Sequence, residues 1–310
     1  MNAVFETVAP VFALIALGFG AGLSGYMRAD DVKVLNRFVV GFALPALLFR
    51  LMVTADLPAA SPWLLWSVFY GAMAIVWLLT VFLSRSFAVL APAGGSAAAI
   101  AATFGNLVLM GIPLALGHFG PAATRPMALL ISVHAVVNWL AASLLAEWSS
   151  RQRQVPLTRM FVRLGRDLAL NPIIAPLVLG ALWGLTGFGL HPVVDETMAF
   201  LARAAVPSAL FMLGLTLSGY SLTGQFGVVA LLIALKMVVM PLVAWALVSL
   251  VVPLDPLEAK IVILFAALPG GVNAYLFASR YNVAVAPVSG AIAIGTGLAI
   301  VTTSLLLSVL

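Results

Sequence analysis

Long apolar runs dominate the chain, and short clusters of charge, glycine and proline punctuate them. The runs cover residues 4–27, 34–54, 61–84, 95–118, 125–148, 169–189, 196–218, 226–250, 257–279 and 284–309. Each is long enough to cross about 30 Å of hydrocarbon as a helix. A membrane barrel would instead show alternating segments of about ten residues. The pattern therefore predicts an all-α polytopic membrane protein with ten transmembrane helices. The connections carry turn chemistry, as in "RADD", "ADLPAASP", "LAPAGG" and "VPLDP". Only 149–168 is long and polar, and it separates a first five-helix unit, 1–148, from a second, 169–310.

With 64% hydrophobic and 8% charged residues, the chain lies outside the range of soluble domains. The absence of cysteine excludes disulfides and thiolate metal sites. The net charge of +5 is not spread over a surface that could hold nucleic acid. Arg151, Arg153, Arg159, Arg163 and Arg166 crowd the central linker, which reads as a cytoplasmic loop flanking the membrane. With the N-terminus outside, the inner loops also carry Arg28, Lys33, Arg37 and Arg85, and the outer ones only Arg125 and Lys260. That asymmetry predicts both termini outside. Glu6 and the length of the first run argue for a retained span rather than a cleaved signal.

The two units match each other. At an offset of 162 residues, "PVFALIALGFGAGLSG" (10–25) falls on "PIIAPLVLGALWGLTG" (172–187), and "FVVGFALPALLF" (38–49) on "FLARAAVPSALF" (200–211). Pro10/Pro172, Gly18/Gly180, Gly22/Gly184, Gly25/Gly187 and Pro45/Pro207 coincide. Leu and Ala match by chance in apolar sequence, but this set of Gly and Pro does not. Five spans per unit is an odd number, so the second unit enters the membrane from the opposite side. An inverted repeat of this kind is typical of secondary transporters.

The fourth run carries helix-breaking residues, Gly105, Asn106, Gly111 and Pro113, and the ninth carries Pro269, Gly270, Gly271 and Asn273. A broken helix in lipid frees backbone polar groups and is tolerated only where protein or a wet cavity satisfies them. Two such breaks at corresponding places predict crossed discontinuous helices. Their half-helix N-termini would offer N–H donors and partial positive charge to an anion. Asn106 and Asn273 add amide groups suited to a carboxylate, or serve as caps of the half-helices. His134 and Asn138 share a face of the fifth run. The histidine reads as substrate ligand, proton carrier or hydrogen-bond partner of the crossing. Lys236, deep in the eighth run, and Arg50, near the end of the second, are secondary candidates; Arg50 can also snorkel to the interface. No Asp or Glu lies deep in a run, which disfavours a carboxylate proton relay.

The motifs "LNRFVVGFALPALLF" (35–49), "GNLVLMGIPLALGHFG" (105–120), "NPIIAPLVLGALWGL" (171–185), "AAVPSALFMLGLTLSG" (204–219) and "ALPGGVNAYLFASRYNV" (267–283) resemble the auxin efflux carrier family. The likeness extends to bacterial members of the malonate or malate permease type, and it covers essentially the whole chain. It implies a bile-acid-transporter-like fold, an inner-membrane location, and an organic anion held between the crossed helices of spans 4 and 9. It also implies a scaffold of spans 1, 2, 6 and 7 that dimerises, and a core of spans 3–5 and 8–10 that moves like an elevator. Asn106 matches the family's carboxylate-contacting asparagine, and His134 falls at its polar position in span 5. Leu48 stands where plant carriers can offer serine, and span 3 lacks their acidic and basic pair, which argues against auxin as the substrate.

The substrate-site candidates are thus Asn106, Gly105, Pro113, Pro269, Gly270, Gly271, Asn273, His134 and Asn138, with Lys236 and Arg50 secondary. No cofactor is expected, and His118, His134 and His191 show no metal spacing. No GxSxG, HExxH or Walker motif points to an enzyme. Three classes stand: a carrier of small carboxylates, a sodium-coupled symporter of the bile-acid carrier fold, and a non-transporting membrane receptor or enzyme.

Overall fold

A computed structural model describes residues 2–54, 62–86, 94–149, 166, 172–220 and 226–310. Arg151, Arg153, Arg159 and Arg163, on which much of the orientation argument rests, lie outside the described residues. The described residues are helical throughout, apart from turns and one isolated bridge. In chain order the helices are α1 Asn2–Leu23, α2 Ala29–Phe38, α3 Leu44–Val53, α4 Trp63–Ser86, α5 Gly94–Thr103, α6 Ile112–Phe119, α7 Thr124–Ser149, α8 Ile174–Leu185, α9 Pro192–Ser218, α10 Phe226–Ala234, α11 Met240–Leu250, α12 Pro256–Ala267, α13 Val272–Tyr281 and α14 Val285–Val309. Six stretches among the described residues are long and apolar enough to cross a membrane. They include Asp30–Val53, Pro192–Ser218 and Val285–Val309.

Proline sets the local geometry of several stretches. Wide π-helical turns occupy Val39–Ala43, Leu107–Gly111 and Leu235–Val239. Each is followed, at the second residue of the next helix, by proline: Pro45, Pro113 and Pro241. A proline ring clashes with the carbonyl one turn back and donates no hydrogen bond, so the preceding turn widens instead of closing. Each turn runs straight into the helix that follows, and at Val39–Ala43 and Leu235–Val239 the helix is continuous on both sides. Helix starts carry the expected caps: Asp255 Oδ1 accepts from the Leu257 N–H at 2.9 Å, with Pro256 at the first helical position.

One group of helices forms through glycine contacts. α1 lies along α9, and α3 packs on α8 and α9. A Cβ at Gly18 would strike the carbonyl oxygen of Phe211, and a Cβ at Gly180 would strike that of Phe49. Gly18/Gly180 and Phe49/Phe211 are both pairs at the 162-residue offset, so one contact occurs twice with the units exchanged. The backbone repeats likewise. Gly25 and Gly187 both hold positive φ, 72° and 69°, and their N–H groups bond to Gly22 and Gly184, each at 3.1 Å.

The second group packs α4 on α5, α11 on α4 and α12, and α10 on α14. Its apolar interior includes Phe69, Phe265 and Phe277, all fully buried. Outward faces carry large apolar side chains such as Phe82, Leu179, Phe200, Leu242 and Trp245. Such faces suit lipid.

Candidate functional site

The fourth apolar run breaks at Phe104–Asn106, between α5 and the π turn that leads into α6. The ninth breaks between Ala267 and Val272. Ten- to twelve-residue segments such as α5, α12 and α13 are only about 15–18 Å long, roughly half of a hydrocarbon layer. The two breaks pair antiparallel at Gly105 and Gly270. The Asn106 N–H donates to the Pro269 carbonyl at 2.9 Å, and the Gly271 N–H to the Phe104 carbonyl at 2.8 Å. Each break thus satisfies one N–H and one carbonyl of the other, two hydrogen bonds in all.

Gly271 makes this close approach possible. A Cβ on Gly271 would lie 2.8 Å from the Phe104 ring and 3.0 Å from the Gly105 carbonyl oxygen. A Cβ on Gly105 would lie 2.6 Å from Leu107 Cδ1.

His134, from α7, serves the pairing directly. Its Nε2 accepts the Gly105 N–H at 3.2 Å. Asn138, one turn on, donates from Nδ2 to the His134 carbonyl at 3.0 Å, and its Oδ1 accepts from the Thr103 hydroxyl at 3.0 Å. Of the three readings of His134, its observed bond is the one to the crossing. Asn138 is fully buried behind it, away from open space.

Beyond the paired breaks the half-helices resume, and the first residues of both border one cavity. The Asn106 carbonyl accepts from Met110 and Gly111 at 3.2 and 3.1 Å, and the Gly271 carbonyl from Ala274 at 3.0 Å. The N–H groups of Leu107, Val108, Leu109, Val272 and Asn273 precede these first turns, where helices carry partial positive charge. All five residues border a cavity of about 480 Å³ between the two helix groups. That is ample for a small organic ligand.

Asn106, Gly105, Gly271, Asn273 and His134 line this cavity. Asn106 is 4% exposed, and its Nδ2 has no hydrogen-bond partner among the described residues. Among the described residues of the lining, Lys33 is the one that carries a charge, and it is paired with Asp30 at 2.8 Å. Among the described residues, no carboxylate side chain is part of the lining.

The other candidates stand elsewhere. Pro113 lies beyond the π turn it induces, and Pro269 contributes its carbonyl to the pairing. Gly270 and Lys236 border a separate space of about 10 Å³ on the far side of the crossing. Lys236 is 1% exposed, and its Nζ donates to the Ala266 carbonyl at 2.5 Å, near the C-terminus of α12. An ammonium there complements the negative end of a helix. Arg50 is drawn away by Asp195, with Nε–Oδ1 at 2.7 Å and Nη2–Oδ2 at 3.1 Å. Sequence reasoning missed Thr216, Tyr220 and Tyr275 in the lining. Aromatic residues near span ends read as interfacial anchors, which left them without a signal.

Comparison with known proteins covers nearly the whole chain. A family model described as membrane transport protein matches residues 3–307. A Rhizobium meliloti protein named "Putative malonate transporter" is 28% identical over 99% of this chain and 96% of its own length. Auxin efflux carrier component 8 of Arabidopsis thaliana is 21% identical over 97% of this chain and 95% of its own. The lysosomal cholesterol signaling protein of Mus musculus is 25% identical over 94% of this chain, which spans 36% of that protein. These matches bear out the resemblance carried by the five sequence motifs.

Proposed function

Because the chain belongs to the membrane transport protein family, we propose that it is a secondary carrier of small carboxylate anions, with malonate the first candidate. The observation that carries this reading is the Asn106 amide, buried and without a hydrogen-bond partner among the described residues, beside two half-helix N-termini in one cavity. A carboxylate accepts hydrogen bonds at about four positions, which such a donor set matches. The malonate suggestion draws on the name of the Rhizobium relative.

In this reading the apolar runs are ten spans in two inverted repeats, with spans 4 and 9 crossing at Gly105 and Gly270. The reciprocal contacts Gly18–Phe211 and Phe49–Gly180 support a two-fold relation between the units. The α1, α3, α8 and α9 group is the scaffold, through which two copies pair, and the group holding the crossing is the moving core. The cavity between them is where an elevator would load its cargo. Both termini face the periplasm of a bacterial inner membrane, and the 149–168 linker faces the cytoplasm. A single cysteine at Gln154 should therefore resist impermeant reagent applied to intact cells, and labelling from outside would reverse the orientation.

Purified protein in liposomes tests the function. Malonate-loaded vesicles should take up labelled malonate by exchange without a sodium gradient. Uptake that requires sodium would favour the coupled-symporter reading. Tight malonate binding with no flux would favour a receptor.

A further inference from the structure

Among the described residues, three buried side-chain polar atoms lack a hydrogen-bond partner: Asn106 Nδ2, Tyr220 Oη and Thr302 Oγ1. Asn106 and Tyr220 line the same cavity. An unsatisfied buried donor is unfavourable, and native structures hold few of them. Two in one cavity point to a ligand with hydrogen-bonding groups at two places.

Tyr220 is well placed to be the second point. It follows α9, and its N–H donates to the Leu217 carbonyl at 3.1 Å, which fixes its backbone. Its ring packs on Tyr275 of α13, with centroids 4.6 Å apart and planes tilted by 35°. The two rings come from different helix groups: Tyr220 from the group of α1, α3, α8 and α9, Tyr275 from the half-helix that leaves the crossing. Packing on Tyr275 restrains the Tyr220 ring within a cavity wall whose described residues include no carboxylate. A phenol donates well to an ionised oxygen acceptor.

We propose that Tyr220 is a specificity-determining residue that binds the second carboxylate of a dicarboxylate whose first carboxylate sits at Asn106. This rests on the carboxylate-carrier reading above. A ligand held this way touches both helix groups at once. A monocarboxylate reaches only the crossing and leaves the Tyr220 hydroxyl without a partner.

The test is calorimetric binding of acetate, malonate and succinate to the wild type and Tyr220→Phe, which keeps the ring and removes the hydroxyl. The wild type should bind its preferred dicarboxylate at least tenfold more tightly than acetate. In Tyr220→Phe the dicarboxylate should weaken about tenfold or more, with acetate unchanged and the melting temperature preserved. Unchanged dicarboxylate affinity, or equal losses for acetate and dicarboxylate, overturns the assignment of Tyr220. If the wild type binds none of the three acids, the carboxylate reading itself falls, which is a different result from selective failure of the tyrosine.

Discussion

The Asn106 N–H and the Pro269 carbonyl lie 2.9 Å apart, so the break in one helix is closed by the break in another. Neither half of this arrangement is stable in lipid alone, because each would leave bare main-chain groups. Together they form a small rigid unit with helix N-termini toward the cavity and Lys236 behind it.

His134 should therefore act first through structure. His134→Ala leaves the buried Gly105 N–H without its acceptor, which should destabilise the protein by about 1–3 kcal/mol. His134→Gln retains an acceptor and should recover part of that loss. Thermal melting in detergent measures both variants. Loss of transport by His134→Gln at an unchanged melting temperature would instead point to a role in substrate binding or proton carriage.

Gly18→Ala and Gly180→Ala should destabilise to a similar extent, each by about 1–3 kcal/mol, because each new methyl meets a backbone carbonyl oxygen. The two sites make the same contact in exchanged units, and their effects should add. Neither glycine lines the cavity, so malonate affinity should hold. Melting curves of the single and double variants check this. A tolerated methyl at Gly18 alone would break the equivalence of the two contacts.

Both breaks were legible in the sequence because Gly, Pro and Asn have few roles in an apolar helix. Asn106 and Asn273 were found on that basis, and both border the cavity. The direction in which a helical side chain projects was not legible. Lys236 and Asn106 are equally deep in apolar runs, yet packing sets them on opposite sides of the crossing. Pro113 read as part of a break, but the helix passes through it by widening one turn. Arg50 found Asp195 at a sequence separation of 145 residues, which no local pattern encodes. Tyr220 and Tyr275 become a pair only when the two helix groups meet.

The elevator reading predicts that tying the groups together stops transport. Leu47 from α3 and Leu109 from the π turn before α6 pack against one buried cluster that includes Leu44 and Met212. The chain has no native cysteine, so cysteines at these two positions are the only ones present. A short bifunctional reagent joining them should abolish flux in liposomes, and a cleavable reagent should allow its recovery. Full flux through quantitatively crosslinked protein would rule out sliding at this contact.

The central claim, that the paired breaks hold a carboxylate through Asn106, is tested most directly by the malonate affinity of Asn106→Ala. The substitution removes a donor to a charged group, worth roughly 1.5–3 kcal/mol. The dissociation constant should rise about ten- to a hundredfold, with backbone donors leaving residual binding and the melting temperature nearly unchanged. An unaltered dissociation constant with a lowered melting temperature would make Asn106 a helix cap only and move the anion site elsewhere.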